Sequence, residues 1–120
     1  MNKPLGPYSP AVRAGDWVIV SGQLPIDPET ATFVGGNAAT QTARILENMA
    51  AILDDCGLSL TDVAKTTIFL TDLADFPAVN DAYGAALGDH RPARATVGVA
   101  SLPLGATVEI EAWVYAPKGG

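Results

Sequence analysis

Only two stretches of this chain carry the three- and four-residue periodicity of an amphipathic helix, while its strand-like stretches are apolar on both sides. Two helices cover one face of a sheet, so the other apolar face is left without an intramolecular partner. The first helix is expected from Asn37, a good N-cap, to Gly57, a good terminator. Its apolar face runs through Ile45, Leu46, Met49, Ile52, Leu53 and Cys56. The second opens at Asp75, tolerates Pro77 in its first turn, aligns Phe76, Val79, Tyr83, Ala86 and Leu87, and stops at Gly88. β-Branched runs predict strands at Trp17–Ser21, Val63–Leu70, Arg94–Ala100 and Val108–Ala116. The segment from Leu24 to Gly36 holds Pro25, Pro28 and a Gly pair, and reads as a loop with one short strand around Thr32–Val34. Leu102-Pro103-Leu104-Gly105 is a turn, and Gly6-Pro7-Tyr8-Ser9-Pro10 is stiff and extended. The order predicts an α+β domain, a sheet with two helices on one face.

The uncovered face is legible in the last strand. Val108, Ile110, Ala112 and Val114 fall on one side, and Glu109, Glu111, Trp113 and Tyr115 on the other, because side chains alternate along a strand. In the first strand Trp17 and Ile19 alternate with Val18 and Val20. A monomer would leave Trp and Tyr in water, so a closed homo-oligomer is expected.

The 120 residues are expected to form a single domain, 1–120, long enough to bury a core without staples. With 48% hydrophobic and 17% charged residues the chain reads as globular. One cysteine, no apolar leader and no membrane-length run predict a cytoplasmic protein with no membrane partner. A net charge of −6 and a pI near 4.4 argue against a nucleic-acid partner, which usually leaves a basic footprint.

Standard catalytic signatures are mostly absent. His90 and Cys56 stand alone, so no metal site is expected. Cys56 is expected to pack inertly in the core, and His90 to be a solvated loop residue. Arg94 opens a strand after His90-Arg91-Pro92-Ala93, where its planar fork is placed either to grip a carboxylate or to pair with Glu109 or Glu111. Glu109 and Glu111 read either as charges paired across an interface or as a carboxyl beside a pocket that orients water. Asn80 reads as a helix surface residue, and Tyr8 as a packed turn aromatic or a pocket lid.

Taken together, the segments resemble the RidA (YjgF) family of reactive-intermediate deaminases. The resemblance is carried by Gly6-Pro7-Tyr8-Ser9, Val20-Ser21-Gly22-Gln23-Leu24-Pro25, the Asn48 helix ending at Gly57-Leu58, and Val63-Ala64-Lys65-Thr66-Thr67-Ile68-Phe69-Leu70. It continues through Asp75-Phe76-Pro77-Ala78-Val79-Asn80-Asp81-Ala82-Tyr83, Arg91-Pro92-Ala93-Arg94-Ala95-Thr96-Val97, Leu102-Pro103 and Val108-Glu109-Ile110-Glu111-Ala112. These pieces span nearly the whole chain in order. The resemblance implies a chorismate-mutase-like mixed sheet, assembled as a homotrimer around a central barrel with a ligand cleft at each subunit interface. It implies cofactor-free hydrolysis of enamines and imines, such as 2-aminoacrylate, to 2-oxo acids and ammonia. By the same resemblance Arg94 matches the arginine that binds the substrate carboxylate, and Glu109 the carboxylate associated with the attacking water. Tyr8, Ser21 and Asn80 match substrate-binding positions. Many family members carry cysteine two residues after the key arginine. Here Thr96 stands there, so cysteine chemistry is excluded, and Thr96 is expected to help position water through its backbone or hydroxyl.

Two rivals remain at the level of sequence. One is a non-catalytic module that binds 2-oxo acids in the same cleft. The other is the ribonuclease activity attributed to members of the family, which the acidic charge disfavours.

Overall fold

The computed structural model describes Gly6 and residues 8–118; Met1–Leu5, Pro7 of the N-terminal motif and the Gly119-Gly120 tail lie outside the described residues. Helix α1 spans Ala38–Asp55. Asn37 caps it as expected, its Oδ1 accepting from the Thr40 N–H at 2.8 Å. At the other end Gly57, with φ 75°, adopts the left-handed conformation that a side chain would resist. The Leu58 N–H then reaches the Leu53 carbonyl and the Gly57 N–H the Asp54 carbonyl, closing the terminus. Helix α2 spans Phe76–Leu87 with Pro77 in its first turn.

Among the described residues seven strands follow in chain order: β1 Ala11–Ala14, β2 Trp17–Gln23, β3 Ile26–Asp27, β4 Thr32–Phe33, β5 Val63–Leu70, β6 Ala93–Gly98 and β7 Val108–Tyr115. Five form one sheet in the order β1-β2-β7-β5-β6, and β3 pairs only with β4. Neighbours run antiparallel except β5 and β6, which are parallel and joined through α2. The mixed sheet with both helices on one face matches the sequence expectation.

The core lies between helices and sheet. Val18 and Val20 of β2, Ile68 and Leu70 of β5, and Val108, Ile110 and Val114 of β7 meet Ile45, Leu46, Met49, Ile52 and Leu53 of α1 and Val79, Tyr83 and Leu87 of α2. On the opposite face Trp17, Trp113 and Tyr115 are 36%, 43% and 50% exposed. They pack edge to face, with ring centroids 6.2 Å apart for Trp17–Trp113 and 5.2 Å for Trp17–Tyr115.

Several expectations are corrected. Strand β1 was not anticipated, and β2 extends two residues past Ser21. The strand opening at Arg94 begins at Ala93 and ends at Gly98 rather than Ala100, and the last strand ends one residue before Ala116. Cys56 is exposed, not buried. It sits beyond the last helical residue, at the cap, where φ −93° and ψ 1° turn it off the apolar face. His90 is half-buried rather than solvated, its Nε2 donating to the Val63 carbonyl at 2.7 Å and tying the α2–β6 loop to the start of β5. On α2, Val79, Tyr83 and Leu87 are buried, whereas Phe76 and Ala86 are exposed.

Candidate functional site

The parallel register pairs Thr66 with Arg94 and Ile68 with Thr96. Arg94 and Thr96 therefore lie on the helix-covered side, at the edge strand, under α2. Phe76, Asn80 and Tyr83 are spaced four and three apart, which places them on one stripe of α2 facing this edge. The Arg94 guanidinium carbon lies 5.4 Å from the Phe76 ring centroid and 5.2 Å from that of Tyr83. Two aromatic faces thus hold the cation, an arrangement that fixes its direction without neutralising it. Among the described residues the guanidinium has no hydrogen-bond or ion-pair partner. Beside it opens a cavity of about 360 Å³ lined by Asn80, Tyr83, Gly84, Arg91, Pro92 and Arg94. The Thr66 and Tyr83 hydroxyls share a buried hydrogen bond of 2.6 Å that locks the Tyr83 ring. Burial pushes the Tyr83 phenol above its ordinary 10.0, against the Thr66 hydrogen bond and the positive charges of Arg94 and Arg91. The Asn80 Oδ1 and Thr96 Oγ1 are buried with no partner among the described residues. An unsatisfied buried oxygen is costly, and such atoms mark a place where a partner belongs.

Glu109 lies elsewhere. It pairs with Phe69, three residues beyond the partner of Arg94, so its side chain leaves the sheet on the uncovered face. There a second cavity, about 490 Å³, is lined by Gly6, Tyr8, Ser21, Gly22, Leu24, Pro103 and Glu109. The Ser21 Oγ donates to the Ser9 carbonyl and fastens the N-terminal segment that carries Tyr8. Pairing between β2 and β7 slips between Val20 and Gln23, and the irregularity brings Gly22 against Glu109. A Cβ on Gly22 would stand 2.5 Å from Glu109 Oε2 and 3.0 Å from its Cδ, so only glycine leaves the carboxyl its place. Burial raises the Glu109 pKa above the ordinary 4.5, and the negative charge of Glu111 raises it further. A carboxyl so placed holds its proton more readily than an exposed one and is suited to taking up and returning a proton.

The six sequence-predicted site residues therefore fall into two groups within one copy. Arg94, Asn80 and Thr96 lie on one face, and Tyr8, Ser21 and Glu109 on the other. Sequence reasoning missed the aromatic walls Phe76 and Tyr83, which it assigned to packing, although their spacing with Asn80 carried the signal. It also missed the close approach of Gly22 to Glu109, which no local pattern encodes.

Among known proteins, residues 1–116 match the model of the family described as Endoribonuclease L-PSP. A RutC family protein of Pyrococcus abyssi is 47% identical over 113 residues, covering 94% of this chain and 89% of that one. The chloroplastic Reactive Intermediate Deaminase A of Arabidopsis thaliana is 48% identical over 107 residues, covering 89% of this chain and 57% of that protein. The crystal structure of RidA from an Antarctic Psychrobacter superposes with a TM-score of 0.90 at 45% identity, covering 95% of this chain and 92% of that one.

Proposed function

The chain belongs to the endoribonuclease L-PSP family, the family of RidA and YjgF, and on that premise we propose that it hydrolyses reactive enamines and imines to 2-oxo acids and ammonia. The observation that carries this reading is the Arg94 guanidinium, held by two rings at the wall of a cavity with no acid among the described residues to neutralise it. Arg94 binds the substrate carboxylate through two parallel charge-assisted hydrogen bonds. The enamine carbon takes up a proton and becomes the imine. Water then adds to the imine carbon, with Glu109 accepting one of its protons. The proton returns to nitrogen, the carbinolamine C–N bond breaks as the hydroxyl oxygen forms the carbonyl and gives up its own proton to water, and ammonia leaves. Thr96 and Asn80 supply polar groups beside the reacting carbon, and Tyr8 and Ser21 close the opposite wall. No metal or organic cofactor is called for, because imines of this kind hydrolyse unaided and positioning alone accelerates them, about tenfold for each 1.4 kcal/mol.

In this reading the site is shared. Glu109 and Arg94 leave opposite faces of one sheet, so the acid that meets Arg94 comes from a neighbouring copy. A ring of three, as the family resemblance implies, would cover Trp17, Trp113 and Tyr115 and join the two half-sites. A net charge of −6 disfavours the RNA-cleaving activity in the family's description.

Arg94→Ala is expected to abolish both 2-oxo acid binding and accelerated ammonia release from an enzymatically generated imine, with assembly intact. Arg94→Lys should be nearly as damaging, because the bidentate fork is lost. Unchanged ammonia release in Arg94→Ala defeats the proposal. The placement of Arg94 and Glu109 on opposite faces favours one second reading, a module that only binds 2-oxo acids. Binding of 2-oxobutyrate without faster imine decay would select it.

A further inference from the structure

The cavity beside Arg94 holds a second guanidinium that the proposed reaction does not use. Arg91 stands in the loop between α2 and β6, and its Nη1 donates to the carbonyls of Gly88 and His90. These carbonyls follow the C-terminus of α2, where a cation is favourably placed. Capping occupies one nitrogen of the three. The rest of the fork has no partner among the described residues. An anchored guanidinium loses little freedom when it meets a ligand.

The charge around it is unusual for this chain. Thirteen acidic residues outnumber seven basic ones, yet the cavity wall of Asn80, Tyr83, Gly84, Arg91, Pro92 and Arg94 holds two cations and no carboxylate. Both guanidinium groups act on the Tyr83 hydroxyl, Arg94 more strongly than Arg91, so the two charges converge on one region. A single carboxylate on Arg94 leaves the second charge uncompensated.

We infer that Arg91 is a specificity-determining residue that pairs with a second carboxylate, so the preferred ligands are dianions, the 2-imino and 2-oxo dicarboxylic acids. This rests on Arg94 holding the first carboxylate. Arg91 is exposed and Arg94 half-buried on the wall of the same cavity, so the second carboxylate is the one at the far end of the carbon chain.

The test is calorimetric titration with two five-carbon acids, 2-oxoglutarate and 2-oxopentanoate, which differ in the second carboxylate. The wild-type protein should bind 2-oxoglutarate about tenfold more tightly, a preference that shrinks as salt is raised. Arg91→Gln should remove the preference while leaving 2-oxopentanoate affinity within about twofold. Arg91→Lys, which keeps the charge without the fork, should retain part of it. Arg94→Ala should weaken both acids. Equal affinity of the wild type for the two acids, or a preference that survives Arg91→Gln, overturns the inference and leaves the Arg94 reading standing wherever 2-oxopentanoate binding still requires Arg94. Failure of the wild type to bind either acid overturns both. The wild-type comparison and its salt dependence decide the matter even if Arg91→Gln does not fold.

Discussion

At the scale of single residues, the site depends on what is left out as much as on what is supplied. Gly22 contributes no side chain, and the missing Cβ is the space into which the Glu109 carboxyl fits. Gly22→Ala must displace that carboxyl, since the contact would otherwise be 2.5 Å. The expected outcome is a fall in the rate of imine hydrolysis of tenfold or so, with 2-oxo acid binding at Arg94 retained. The pH–rate profile separates positioning from simple instability. Burial holds the Glu109 pKa up, so a carboxyl displaced from its buried place should titrate closer to the ordinary 4.5 and shift its limb of the profile to lower pH. A reduced rate with an unmoved limb would show that Gly22 does not govern the carboxyl.

At the scale of elements, β5, α2 and β6 form the unit that presents Arg94. The Thr66–Tyr83 hydrogen bond ties the middle of α2 to β5, and the Tyr83 ring carries one side of the cation. Tyr83→Phe removes the hydroxyl and keeps the ring. It should cost about 1–3 kcal/mol in chemical denaturation, since the Thr66 Oγ1 is left buried without its partner, while carboxylate binding changes little. A large loss of binding would mean that the hydroxyl, not the ring, positions Arg94. Both helices were legible in the sequence because their apolar steps are long and regular, and Asn37, Gly57 and Pro77 mark where they begin or end. Strand β1 was not, because Ala11–Ala14 is short, mostly exposed and carries Arg13 in its middle. Cys56 continued the apolar pattern in sequence, but the helix stopped before it. The division of the site was also hidden. Alternation assigns residues to two faces within a strand, but only the register across β6, β5 and β7 shows that Arg94 and Glu109 take opposite ones.

At the scale of the molecule, the uncovered face carries its own reporter. The chain has two tryptophans, Trp17 and Trp113, and both lie there in edge contact. Intrinsic Trp fluorescence therefore reads the environment of that face and no other part of the chain. If three copies close around it, emission at working concentration should be blue-shifted, and sedimentation should give about three times the 12.4 kDa chain mass. Trp113→Arg would place a charge where the rings are to be covered. It should lower the mass toward that of one chain and shift the remaining Trp17 emission to the red in the same concentration range. Imine hydrolysis should fall with the mass, because a lone copy keeps Arg94 and Glu109 on opposite sides of its sheet. Binding of 2-oxo acids to Arg94 should weaken less than turnover, since the aromatic cradle belongs to one chain. A wild-type protein that sediments as one chain and still hydrolyses imines would break the link between assembly and chemistry. Arg94 and Glu109 would then have to act without meeting, since one chain holds them on opposite sides of its sheet.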